Sequence, residues 1–433
     1  MQRDPGTTPS SQLRSALPES ATHVVVAFSG VIALLAGVAL ARWIFPQWPI
    51  HRQALLVMAA TACGIFLPDL LWQRVWRRQL ARVQSAGNAE RTFTKFLGLI
   101  GCLGFVALLY WLFPEYYKGK TFYGRYWSML ELLLPVWLVL ALPYLWWVDR
   151  RMSEPQDALW RFGRLLCGQW RDMRGQGGAI AQLLLGWLVK GYFLPLMFTY
   201  LCNELTKLLH YDFAQLADPN RWYDFAYFFM YFLDVALVSM TYVMSLRLTD
   251  TQLRSTEPTL FGWVIALLCY QPFWSLIGDQ YLDYDRGFGW SRWLGDIPWL
   301  YGTWATLILL CVAVYVWATI SFGGRFSNLT HRGIITNGPY RFTRHPAYIA
   351  KNLSWWLIAM PFMLASSWQD SLRRTLLLLA LNGVYFLRAK TEERHLGRDP
   401  VYRQYSEWIG QHGLLRFVHR LPLLGALARL QLR

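Results

Sequence analysis

The chain has 433 residues, 55% of them hydrophobic and only 16% charged, with 24 Trp and a formal net charge of +16. That balance excludes an ordinary soluble enzyme and indicates a polytopic membrane protein. Nucleic acid is excluded as the reason for the charge, because the Arg residues sit in short loops between apolar runs; anionic lipid headgroups are the expected partners.

Residues 1–22 are polar and rich in Ser, Thr and Pro, and are expected to be disordered on the cytoplasmic side. The run 23–45 is too long for a signal-peptide core and has no clear small-x-small cleavage site, so it predicts a first spanning helix. Further apolar runs follow at 53–72, 93–113, 127–148, 178–202, 223–246, 259–277, 299–320, 350–366 and 373–388. The total is about ten segments near the ~20 residues that a span needs. The last two are short and suit a tilted or re-entrant helical hairpin. The expected class is therefore an all-α polytopic membrane protein.

Loop charge predicts orientation. The loops 73–91 and 149–177 are rich in Arg and should be cytoplasmic, whereas 204–222 and 278–298 carry Asp212, Asp218, Asp279, Asp283, Asp285 and Asp296 and should face outward. Both termini then fall in the cytoplasm. The loop 114–126, with Lys118, Lys120 and Arg125 on the outer side, fits least well. Trp and Tyr crowd the segment ends as an interfacial belt does, and the same aromatic content would suit a pocket for an acyl or prenyl chain. Glu131, Lys190 and Asp234 lie near or within spans. Lys190 is expected to pair with Glu131 or Asp234, the alternative being an acidic substrate headgroup. The six Cys are scattered without a CxxC spacing, and no metal site is expected. The tail 413–433 mixes Leu with Arg and reads as a basic amphipathic surface helix.

Two polar islands interrupt the C-terminal third. The first is Asn337-Gly338-Pro339-Tyr340-Arg341-Phe342-Thr343-Arg344-His345-Pro346-Ala347-Tyr348, and the second runs from Arg388 to Tyr405 and contains Glu392-Glu393. Charged groups so close to a bilayer usually mark a site. Pro339 and Pro346 disfavour helix in the residues before them, so Gly338 and His345 should be extended or in a turn. A helix can begin at Pro346 or Ala347, which presents Arg344 and His345 at a helix N-terminus suited to an anion. Glu392 and Glu393 suit a cationic ligand such as a sulfonium or an amine, or else pair with Arg388, Lys390 or Arg394. Tyr402 and Tyr405 share one helix face and could attract the same cation.

Gly324-Arg325-Phe326-Ser327, Ile335-Thr336-Asn337-Gly338-Pro339-Tyr340-Arg341, Arg344-His345-Pro346-x-Tyr348, Glu392-Glu393-x-x-Leu396 and Tyr402-x-x-Tyr405 follow one another in an order that resembles the isoprenylcysteine carboxyl methyltransferase family. The resemblance covers about residues 300–410. It implies a cytoplasmic S-adenosylmethionine (SAM) site built from both islands. Tyr340, His345, Pro346, Tyr348, Tyr402 and Tyr405 would bind the cofactor, and Arg344, Glu392 and Glu393 would carry the reaction. Two features depart from the family. Ala350, followed by Lys351, stands where the family usually has Gly, and the long N-terminal region is no part of the family core. The expected division is 23–298 as an N-terminal multi-span region, 299–412 as the methyltransferase core and 413–433 as the tail.

A carboxylate or phosphate acceptor is already ionised at neutral pH and needs no general base. The leading expectation is thus a SAM-dependent methyltransferase acting on a membrane-embedded lipid or lipid-linked acid: an acidic lipid, a lipid phosphate or a prenyl-linked carboxylate. The Arg-rich composition points to a bacterial inner membrane. Two alternatives remain at this point, an NADPH-dependent sterol or polyprenyl reductase and a non-enzymatic lipid transporter or scaffold. The acceptor and the oligomeric state are not legible in the sequence.

Overall fold

The structure is a computed structural model that describes residues 16–84, 87–116, 120–169, 171, 175–218, 220–275, 289–364, 367–414 and 416. Helices joined by turns and loops make up the described part, with one pair of two-residue strands as its only sheet. Its helices are α1 (Val24–Trp43), α2 (Ile50–Leu71), α3 (Arg77–Leu80), α4 (Ala89–Leu112), α5 (Lys120–Asp149), α6 (Ala158–Leu166), α7 (Gly177–Leu209) and α8 (Asn220–Val243). They continue with α9 (Leu260–Leu267), α10 (Trp290–Leu294), α11 (Pro298–Ser321), α12 (Pro346–Ala359), α13 (Trp368–Leu396) and α14 (Pro400–His412).

Among the described residues seven helices are long and apolar enough to cross a membrane, namely α1, α2, α4, α5, α7, α8 and α11, and the protein is an integral membrane protein. The expected count of about ten is not confirmed among the described residues. The run 259–277 yields only the eight-residue α9 before Pro272. The run 350–366 ends as helix at Ala359, where Met360 turns into the left-handed region at φ 40°. The run 373–388 lies within α13, a 29-residue helix that carries charge at both ends. The outward-loop residues Asp279, Asp283 and Asp285, and nearly all of the tail 413–433, lie outside the described residues.

The chain forms two compact units, one of Met1–Val24, Phe261–Phe322 and Gly333–Arg433, the other of Val25–Leu260 and Gly323–Arg332. In the second unit α4 and α6 meet at glycines. A Cβ on Gly98 would lie 2.2 Å from the Leu159 carbonyl oxygen, and one on Gly163 would lie 1.9 Å from that of Thr94. Only residues without a Cβ allow backbones so close. Buried Lys95 and half-buried Arg91 then tie α4 to the end of α5 through Asp149, at 2.8 Å and 2.6 Å.

The segment Gly323–Arg332 threads into this same unit. Its β2 (Thr330–His331) pairs antiparallel with β1 (Ser255–Thr256). Buried Arg332 donates to four backbone carbonyls, those of Thr251, Thr241, Phe326 and Met244, at 2.7–3.0 Å. Buried Arg325 lies between Asp69, at 3.7 Å, and Asp250, at 3.5 Å. Buried charges need this density of partners to be tolerated.

In the first unit the indole N–H of Trp304 on α11 donates to the Leu357 carbonyl on α12 at 2.8 Å. The helices α12 and α13 are joined by Asn382, whose amide donates to Asn352 at 2.5 Å and accepts from the Trp356 indole at 2.7 Å. Residues 16–22, part of the stretch expected to be disordered, are instead tied to the first polar island. Ala21 N donates to the Ile334 carbonyl (2.9 Å), Thr336 Oγ1 to that of Pro18 (2.8 Å) and Asn337 Nδ2 to that of Thr22 (2.6 Å). The Thr336 and Asn337 side chains thus serve as partners for backbone of this segment that no helix or sheet satisfies. Residues 1–15 lie outside the described part.

Candidate active site

The first island is a tight, multiply braced turn. Gly338 takes φ +55°, and a Cβ there would meet Ser321 Oγ at 2.3 Å, so only glycine fits. A 3₁₀ turn, Gly338–Arg341, follows, and α12 opens at Pro346 with His345 as its N-cap residue at φ −131°. Pro suits this first position because no intrahelical bond needs its missing N–H. From the other side, Tyr405 on α14 donates to the carbonyls of Tyr340 (2.7 Å) and Thr343 (3.3 Å), and Leu414 N donates to that of Phe342 (2.8 Å). The α14 helix itself starts on an Asp399 cap accepting from Val401 N, with Pro400 in the first turn.

The two islands meet through their ionisable groups. Glu393 Oε1 lies 3.2 Å from Arg344 Nη1 and 3.1 Å from His345 Nε2, and its Oε2 lies 2.8 Å from Lys390 Nζ. Glu392 accepts from the Tyr348 hydroxyl and stands 3.4 Å from Arg388 Nε and 4.0 Å from His345 Nδ1. Arg344 also donates to Ser406 Oγ at 3.0 Å. The local helical pairings expected for the two carboxylates with Arg388 and Lys390 are therefore present, and the cross-island pairings exist beside them.

The two carboxylates differ. Glu393 is the more enclosed, its side chain 16% exposed against 32% for Glu392. Burial alone would raise the Glu393 pKa, but the His345 hydrogen bond, the charges of Arg344 and His345 and the Lys390 contact bring it down to about 2. Burial, reinforced by Glu392 and opposed by Arg388, holds the Tyr348 hydroxyl well above its usual range, so it stays a donor. Glu393 is thus a fixed anion that fastens the islands, and Glu392 is the carboxylate that solvent or a ligand can reach.

Tyr402 and Tyr405 do share one face of α14, edge to face with ring centroids 6.0 Å apart. Both are buried in a cluster with Ile334 and Ile409, against Tyr340, Leu396 and Trp408. Tyr405 braces the first island, whereas the Tyr402 hydroxyl is buried without a hydrogen-bond partner. Burial, with Glu393 adding to it and Arg344 opposing it, raises the Tyr402 pKa far above its usual value, so the hydroxyl remains a donor. Tyr340 contributes its carbonyl to Tyr405 and its ring edge to face against Phe322 at 5.3 Å. Gly324-Arg325-Phe326-Ser327 does not join these residues. It belongs to the second unit, where Arg325 is a buried ion-pair partner.

Several neighbours escaped the sequence reading. The Arg388 guanidinium lies over the rings of Tyr348 (5.2 Å), Tyr270 (5.4 Å) and Tyr385 (6.0 Å). The Lys351 ammonium lies over those of Tyr315 and Trp355, both at 5.4 Å, and of Tyr385 at 5.9 Å. The signal was present in the spacing Tyr385, Arg388, Glu392, which places an aromatic, a cation and a carboxylate on one face of α13. Tyr270 and Tyr315, distant in sequence, had no such signal.

The two islands thus bring paired cations and carboxylates together with aromatic rings in one cluster of an integral membrane protein. Residues 300–398 match the isoprenylcysteine carboxyl methyltransferase (ICMT) family, so this segment of the C-terminal third is similar to that family. Neither the curated proteins nor the solved structures give a match to the chain.

Proposed function

We propose that the protein transfers a methyl group from SAM to a lipid or lipid-linked acid, and that both polar islands face the cytoplasm. The observation that carries this reading is the junction of Arg344 and His345 with Glu392 and Glu393, which joins two segments 48 residues apart through a 3.1 Å contact. The donor set fits SAM. The accessible Glu392 carboxylate suits the cationic end of that molecule, the unpartnered Tyr402 hydroxyl offers a donor for an acceptor atom, and the aromatic rings suit a sulfonium. SAM supplies an electrophilic methyl group on a cationic sulfur.

The chain's own residues do the rest. Tyr348 and Arg388 fix the Glu392 carboxylate from two directions, so its charge is already in place before a ligand arrives. Glu393 holds Arg344 and His345 in register and takes no proton at neutral pH. Arg344, anchored by Glu393 and Ser406, presents a cation to an anionic headgroup. No general base is required when the acceptor is a carboxylate or phosphate, and positioning with exclusion of water is then the main catalytic task. Anionic lipids of the surrounding leaflet would be drawn by the same basic loops.

Photo-crosslinking of radiolabelled SAM to the purified protein tests the site. Labelling should fall about tenfold or more in Glu392→Ala and survive excess NADPH. Displacement by NADPH with no SAM labelling would move the assignment to a reductase. Labelling that ignores Glu392 would remove this site from the account.

A further inference from the structure

The second unit holds a cavity of about 560 Å³, within the size range of small-molecule sites. Its wall is formed by α4, α5, the start of α6, α7 and the segment 243–256. Leu99, Trp137, Ala141 and Trp187 make it apolar over most of its extent. Three of its cations have carboxylate partners. Lys95 is 2.8 Å from Asp149, Arg247 is 3.6 Å from Asp157 and Arg254 is 3.4 Å from Asp250.

Lys190 is the exception on this wall. The expected pairing with Glu131 or Asp234 does not form. Among the described residues Lys190 makes no hydrogen bond and no ion pair, and its only cation contact is with the face of Trp187 at 5.1 Å. It lies thirteen residues into the spanning helix α7, roughly 20 Å along the axis at ~1.5 Å per residue. An ammonium at such depth without a counter-charge is costly, and such groups mark ligand paths. A second polar atom on the same wall, Gln252 Oε1, is buried without a hydrogen-bond partner.

We propose that this cavity binds a single-chain amphiphile with a carboxylate head, the carboxylate on Lys190 and the chain against Trp137, Ala141 and Leu99. The head is selected by Lys190, the cation of this wall that has no carboxylate partner among the described residues. One unpaired ammonium balances a monoanion, whereas a phosphate monoester carries about −1.5 to −2 and would need a second free cation. Apolar chain and buried charge together explain why a basic residue sits beside Trp in a membrane helix. The site is separate from the methyltransferase reading and does not depend on it.

The test uses the full-length protein in detergent, without SAM, and a diazirine-bearing hexadecanoic acid. The corresponding fatty alcohol and a diazirine lysophosphatidate serve as comparisons, with labelled peptides mapped by mass spectrometry. The acid should label peptides spanning 137–145 or 179–190 at least tenfold more than the alcohol. That preference should vanish in Lys190→Met and persist in Lys190→Arg, while Ala141→Leu, which fills the chain space, lowers labelling by both probes. Each variant is first checked for monodispersity and melting temperature. If Lys190→Met does not fold, the acid-to-alcohol ratio in the wild type and its displacement by unlabelled hexadecanoate decide the matter alone. Equal labelling by acid and alcohol, an acid preference unchanged in Lys190→Met, or label confined to other peptides would overturn the proposal. Stronger labelling by the lysophosphatidate would overturn the carboxylate assignment.

Discussion

Glu392 and Glu393 are adjacent yet do different work, and their substitution should separate. Glu392→Ala removes the accessible carboxylate and should lower methyl transfer by about 10²-fold or more while leaving the fold intact. Glu393→Gln loosens Arg344 and His345 together, so it should lower both activity and melting temperature. The pH dependence of that stability has a definite sign. A carboxyl whose pKa is depressed on folding stabilises the native state above its unfolded pKa, and the contribution fades only as pH falls through the native value. For Glu393 the fading runs from about 4.5 down to about 2. The melting-temperature gap between wild type and Glu393→Gln should therefore narrow as pH falls from about 4.5 toward about 2. A gap that does not narrow there would mean that Glu393 is not held as described. Tyr405→Phe removes the donor to Tyr340 and Thr343 and should cost about 0.5–1.5 kcal/mol, read as a lower melting temperature.

The turn before α12 depends on one glycine. Gly338→Ala imposes a left-handed backbone on a residue with a Cβ, a cost of roughly 1–2 kcal/mol, and drives that Cβ into Ser321 Oγ. Adding Ser321→Ala should restore the part due to overlap and leave the backbone part, so the double variant should melt between Gly338→Ala and wild type. Much of this element was legible in the sequence. Pro346 announced the start of α12, and the tyrosine spacing announced the shared face of α14, because both follow from local backbone rules. The roles of Tyr402 and Tyr405 were not legible. Whether a tyrosine faces a ligand or a carbonyl depends on which distant segment lies over it, and here the segment is 340–343. The same limit applies to Arg325, which sits in a family-like motif but serves as an ion-pair partner for Asp69 and Asp250.

At the scale of the molecule, hydropathy located each of the seven long apolar helices of the described residues, with two ends, those at Lys120 and Leu209, missed by about two turns, and its three further runs are not confirmed as spans. The surplus arose where apolar runs end early at a chain reversal or share a helix with charge, as α12 and α13 do. The return of Gly323–Arg332 to the second unit had no sequence signal, since it rests on Arg332 reaching four carbonyls that only the fold brings together. Arg332→Met should leave those carbonyls short of donors, at about 1–3 kcal/mol for each that finds no other partner, and should abolish monodisperse protein where Glu392→Ala does not. Orientation is open to the same kind of check. In a cysteine-free background, Ser153→Cys should react with a membrane-impermeant maleimide only from the cytoplasmic side, and Asp212→Cys only from the outside.

The central claim is methyl transfer to a lipid acid at the junction of the two polar islands. Its most direct test incubates the purified protein with methyl-labelled SAM and a total bacterial lipid extract, beside Glu392→Ala and Arg344→Ala. The account predicts a labelled organic-phase product, absent with both variants, whose mass exceeds that of an acidic lipid by one methylene. Label that appears equally with the variants, or no labelled lipid from a protein that binds SAM across a full range of lipid extracts, would contradict it.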